Sequence, residues 1–302
     1  MITLIGYGIV CLLAYLIFAE EPGQTIDMIS IKKDYARVLT ETETIDIPFY
    51  ITSSKSFMTD TDNVIDARIL SEHNEVSVSI QAFKHHDTQT LYEGKTYHLY
   101  YISLDFSSIY TKHLQLDFPS ASLVITYQND DSIELDLGHM NILFHDLDQA
   151  NHLDLKRMYS IQDNDLMTGL YLELDNQTGQ TIIIHSIKTL NQHMLVNINH
   201  AREIYFYEGY IDSIFDVYTD YEPIIQSDNT TGALVIHQDT NLILPINYLL
   251  KESYLNRFPL VIEYTYQEKH YTYIIDDYLF YEHISDFYED LHDIETYQYH
   301  YQ

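Results

Sequence analysis

Sixteen histidines in 302 residues raise the question of a metal or acid–base centre. His85 and His86 are adjacent, Asp87 follows, and His98 is placed to lie on a neighbouring strand. Neighbouring residues of a strand point to opposite faces, so His85 and His86 share one ion only if they sit in a loop. Zinc also needs three or four converging ligands, and the sequence has neither an H-E-x-x-H run nor a cysteine pair. The expectation is therefore scattered surface imidazoles, with no metal and no cofactor. Such imidazoles titrate between about pH 5 and 8 and would reduce an acidic charge in mildly acid surroundings.

Oxygen ligands are more abundant. Asp60-Thr61-Asp62-Asn63 and Asp163-Asn164-Asp165 open like Asp-x-Asp calcium loops. Neither has the sixth-position glycine or the acidic twelfth residue of an EF-hand, and solvated turns are expected. Nucleophilic catalysis has no marker either: G-x-S-x-G is missing, and the sole cysteine, Cys11, lies in an apolar start. Nothing singles out a carboxylate pair among 46 acids, and Trp, a common lining of sugar sites, is absent. No catalytic residue is assigned.

The 29 tyrosines are the unusual feature. Tyrosine joins an apolar body to a polar tip and suits recognition surfaces, although many simply fill sheet faces. Near the C-terminal end, Ile284, Phe287, Tyr288, Leu291 and Ile294 fall on one helical face, with Ser285 placed as cap. Asp286, Glu289, Asp290 and Asp293 line the other face, and Tyr297, Tyr299 and Tyr301 then alternate. This stretch is expected to dock on the second domain or engage a partner. Phe287, Tyr288, Leu291, Ile294, Tyr297, Tyr299 and Tyr301 are thus the candidate partner-binding residues.

The elements that must position these groups read as strands. Val76, Val78, Ile80 and Ala82 alternate with polar residues, as do Tyr100, Ile102, Leu104 and Phe106. Leu123, Ile125 and Tyr127 lead through Gln128-Asn129-Asp130-Asp131 to Ile133, Leu135 and Leu137, which spells a hairpin. In the second half Leu170, Leu172 and Leu174 alternate before the turn Asn176-Gln177-Thr178-Gly179. Leu260, Ile262, Tyr264 and Tyr266 then pass through Gln267-Glu268-Lys269 to Tyr271, Tyr273 and Ile275, again a hairpin. Phe118-Pro119 and Phe258-Pro259 precede the two hairpins at a shared offset, which suggests a duplication. Residues 201–221, dense in aromatics, read equally as a strand with a long loop or as a short helix.

The fold class expected is all-β: an N-terminal apolar helix followed by two tandem antiparallel β-sandwich (Ig-like) domains and a short C-terminal helix. The divisions are 1–19 as membrane anchor or signal helix, 20–27 as linker, 28–145 and 146–283 as the sandwiches, and 284–302 as an acidic, Tyr-rich amphipathic tail. Ile2 to Ala19 carry no charge. Eighteen residues at about 1.5 Å each reach about 27 Å, close to the roughly 30 Å hydrocarbon core of a bilayer. No Lys or Arg precedes this run, so an uncleaved anchor is favoured over a cleaved signal. The downstream Lys32 and Lys33 argue for a cytoplasmic body, but a body without cysteine points outward.

A formal charge of −31 excludes nucleic acid as a partner, because that binding requires Lys and Arg to neutralise phosphates. Nine glycines are too few for a phosphate-cradling fold to be expected. The expected function is a single-pass, membrane-anchored extracytoplasmic binding or scaffold protein. It would use its N-terminal helix for the membrane and recognise another protein of the cell envelope. The alternative is an envelope hydrolase with a His/carboxylate site between the two β domains. Asn176-Gln177-Thr178 and Asn229-Thr230-Thr231 match the N-glycosylation pattern.

Overall fold

The computed structural model describes residues 26–53, 56–72, 74–146, 152–163, 166–191, 194–198, 201–204, 231–237, 240–248, 257–279 and 296–301. Among these residues the regular structure is strand, with short 3-10 turns and no α-helix. The all-β expectation holds. The apolar start and the amphipathic stretch 284–294 lie outside the described residues, and no described helix is long and apolar enough to cross a membrane.

The first strand group comprises β1 (Ile26–Ile31), β2 (Lys33–Leu39), β3 (Thr44–Ile51), β4 (Val64–Leu70), β5 (Glu75–Tyr92), β6 (Lys95–Asp105), β7 (Gln115–Tyr127) and β8 (Ser132–Phe144). A ninth strand, β18 (Thr296–Tyr301), joins it from the far end of the sequence. The order is β18-β1-β3-β6-β5-β4-β7-β8-β2. Neighbours are antiparallel except β2 and β8, which run parallel. β5 is long enough to serve two partners: Glu75 to Val78 pair with β4, and Ser79 to Tyr92 pair with β6. β1 and β2 are separated by Lys32 alone, so the path of strands returns on itself and encloses one core.

That core shows why the alternation was legible. Leu123 pairs with Leu135 and Ile125 with Ile133, and all four are buried. Asp130 takes a positive φ of 65° in the intervening turn, a conformation that short polar side chains tolerate. The period of two breaks at bulges. A register shift between Ile80 and Ala82 turns Phe83 onto the core, because one extra residue reverses the facing of all that follow.

The second group holds β9 (Leu153–Asp163), β10 (Leu166–Asn176), β11 (Ile182–Thr189), β12 (Met194–Val196), β13 (Arg202–Ile204), β14 (Thr231–Ile236), β15 (Thr240–Tyr248), β16 (Arg257–Tyr266) and β17 (Lys269–Leu279). One sheet runs β9-β10-β15-β12, with β13 also on β15, and the other runs β14-β11-β16-β17. Leu170, Leu172 and Leu174 of one sheet meet Ile184, Leu260 and Ile262 of the other in a shared core. Of residues 201–221, the described part is β13, a strand; the remainder from 205 lies outside the described residues.

The paired Phe-Pro steps sit inside strands β7 and β16 rather than ahead of them. Phe118 and Phe258 are both buried, and both stand at register shifts. Proline has no N–H to donate to a ladder, so it belongs at such a break.

The two groups touch through β2. Ala36 and Val38 pack against Leu190, Val261 and Ile274, with Leu143 beside them, while Tyr35 and Leu39 of the same strand face the first core. β2 therefore packs apolar residues on both of its sides.

Candidate functional site

The parallel pairing of β2 with β8 places Asp34 directly opposite His139. Gly138, at φ +88°, lets the two backbones come this close: a Cβ there would lie 2.5 Å from the Lys33 carbonyl oxygen. On β7, one strand further along, Asp117 completes the cluster. His139 Nδ1 lies 2.8 Å from Asp34 Oδ1, and Nε2 lies 2.9 Å from Asp117 Oδ1. Asp34 and His139 are buried, whereas the Asp117 side chain is 56% exposed.

Burial alone would lower the His139 pKa, but hydrogen bonds and charge from Asp34, then Asp117, outweigh it and hold the pKa above the ordinary value. Both ring nitrogens are engaged by carboxylates, one from β2 and one from β7, so the geometry ties three strands together. Next to this cluster, burial pushes the Lys33 amine down to about 7, and the Arg37 charge adds to the effect.

A second polar group closes the first strand group near residue 146. The Tyr110 hydroxyl donates to Asp146, and Lys112 Nζ lies 2.6 Å from the other carboxylate oxygen. Lys112 and Tyr110 hold Asp146 below the usual carboxylate value, and the bond to Asp146 raises Tyr110 to about 12. His145, lowered by burial, has its ring 5.1 Å from that of His113.

The histidines singled out in the sequence do not converge as a set. His85 and His98 rings are 6.0 Å apart, but His86 leans on Tyr101, 6.1 Å away, and reaches Thr88. Among the described residues no group of three or more His, Cys, Asp or Glu side chains could hold a metal ion. Asp60 caps a 3-10 turn by accepting from the Asp62 N–H. Asp163 ends β9, with Asn164 and Asp165 outside the described residues. Asn176 is no glycan acceptor in this fold: it is buried, and its amide donates to the carbonyls of Gln180 and Ile236.

Of the candidate partner-binding residues, Phe287, Tyr288, Leu291 and Ile294 lie outside the described residues. Tyr297, Tyr299 and Tyr301 lie on β18, opposite Ser30, Met28 and Ile26 of β1. The tail thus returns to the first strand group, not to the second. Its acceptor strand helps to build a further apolar layer, in which Ile29, Ile31, Tyr50, Tyr97 and Leu99 are buried.

Sequence reasoning missed the Asp34, Asp117 and His139 cluster. Asp34 and His139 are 105 positions apart, and no local pattern announces a parallel pairing. The one available signal was a polar residue at an alternation point otherwise flanked by buried apolar positions. No protein-family model matches this sequence, and no curated protein matches it.

Proposed function

We propose that this chain is a membrane-tethered, non-catalytic binding or scaffold protein, its body outside the cytoplasm, that recognises another protein of the envelope. The observation that carries the reading is the double engagement of His139. The best-formed His–carboxylate cluster acts as a clasp between strands, with both ring nitrogens held by carboxylates. The uncharged run Ile2 to Ala19 supplies the tether, and the charge of −31 favours a basic partner over anionic polymers.

The strand order supports an immunoglobulin-like reading of both groups. In the first, β1-β3-β6-β5 and β4-β7-β8 follow the A-B-E-D and C-F-G orders, with β2 as the split half of the first strand. In the second, β9-β10-β15-β12 and β11-β16-β17 repeat the scheme, and β14 is added beside β11. On this reading both Phe-Pro bulges occupy the same strand of their groups, which supports a tandem duplication.

The test is a pull-down of the full chain from an envelope fraction in mild detergent. A stoichiometric membrane or exported partner, lost with a charge-reversed body surface, is the expected result. A purified body that cleaves envelope material would overturn the reading in favour of the hydrolase. Orientation is read by labelling an introduced surface cysteine on intact cells, because the body offers no thiol of its own.

A further inference from the structure

We infer that the outer edge of β1 is a strand-acceptor site that takes the Thr296–Tyr301 strand of a second copy of this chain in exchange for its own. The inference depends neither on the tether nor on an envelope partner.

β1 is poorly completed by its neighbour in sequence order. Only Met28, Ile29 and Ser30 pair with β3, whereas β18 pairs with every residue from Ile26 to Ile31. Ile26 and Ile31 have no other ladder partner among the described residues. Ile31 is fully buried, and a buried backbone group without a partner costs as much as a lost hydrogen bond. The first strand group is therefore finished by a strand from elsewhere, and an incomplete edge is a template for whichever strand arrives.

The donor carries none of the usual guards against pairing with a stranger. Thr-Tyr-Gln-Tyr-His-Tyr contains no proline, lysine, arginine or acid, the residues by which edge strands are normally blunted. A backbone ladder is blind to which molecule supplies it, so the same six residues of another copy make the same register. What separates the two arrangements is covalent attachment: a chain's own strand competes at a fixed effective concentration, whereas a second copy's strand competes at the protein concentration. Dilute chains keep their own strand, and crowded chains trade it. Reciprocal trading yields a closed two-fold dimer through an identical exchanged element.

The test uses the full chain in detergent on a Cys11→Ser background, which leaves no other thiol. One tagged copy carries Ser30→Cys and a differently tagged copy carries Tyr297→Cys. These positions are opposite in the register, and opposed antiparallel residues lie about 4.5–5.5 Å apart at Cα, within disulfide reach. Co-expression and oxidation should give a covalent heterodimer of twice the chain mass that increases with protein concentration. Pairing Ser30→Cys with an unsubstituted copy should give none. A chain carrying both substitutions reports the register itself by closing within one molecule when dilute. If that chain closes but the mixed copies never link at high concentration, exchange is overturned. If the doubly substituted chain also fails to close, β1 does not accept β18, and the inference falls at its first step.

Discussion

Replacing His139 by leucine tests the clasp directly. The substitution leaves the Asp34 carboxylate buried without its imidazolium partner, and removing one member of a buried pair typically costs about 3–5 kcal/mol. Asp117 is half in solvent, so Asp117→Asn should cost under about 1 kcal/mol, in the range of exposed pairs. The double replacement Asp34→Leu/His139→Leu removes both charges and should recover most of the loss, because well-packed apolar residues often match a buried ion pair. The pH dependence has a definite sign. A histidine whose folded pKa is raised contributes its full increment below the unfolded value near about 6.5 and loses it as pH rises through the folded value. Wild-type stability should therefore fall on going from mildly acid to alkaline pH by an increment that the double variant lacks. Urea unfolding followed by tyrosine fluorescence reads all four proteins, since no Trp interferes. Equal losses in His139→Leu and the double variant, or identical pH profiles for wild type and double variant, would refute the argument.

Other expectations follow from close contacts and turn geometry. Gly138→Ala puts a Cβ against the Lys33 carbonyl at a positive φ and should destabilise by about 2–5 kcal/mol in thermal melts, from left-handed strain plus overpacking. The two-residue turn of the β16–β17 hairpin holds Gln267 and Glu268 at φ 49° and 64°. Gln267→Asn with Glu268→Gly should stabilise by about 1–2 kcal/mol, because these residues suit a turn with two positive φ values; a lower melting temperature would contradict this. Val261→Asp inserts a carboxylate into the buried contact between the groups, where an unpaired charge is costly. It should part the two groups, seen as a larger radius of gyration in solution scattering, with β-sheet circular dichroism preserved.

The hairpins were readable because alternation and turn chemistry are local. Leu123 to Leu137 and Leu260 to Ile275 show their buried faces residue by residue. Bulges were not readable: nothing in Ile80-Gln81-Ala82-Phe83 states that Phe83, rather than Ala82, faces the core. The His139 clasp was hidden for another reason. It depends on a parallel pairing across more than a hundred residues and on the glycine that permits it. The tyrosines at 297, 299 and 301 were recognised as an alternating set, but their acceptor lies at the opposite end of the sequence, and pattern alone cannot choose among sheet edges. Adjacent His85 and His86 drew attention through mere proximity, and the pleat sends them to different neighbours.

The segment from Ile26 to Leu39 has a temporal consequence. During synthesis its first half emerges ahead of the rest of the first group, yet its outer ladder is supplied by residues made some 270 positions later. Such long-range closure is slow, since chain entropy must be overcome before the contact rewards it. Throughout translation of the second group the nascent first group therefore carries an open flank, and a chaperone or a neighbouring ribosome's product has that interval in which to reach it.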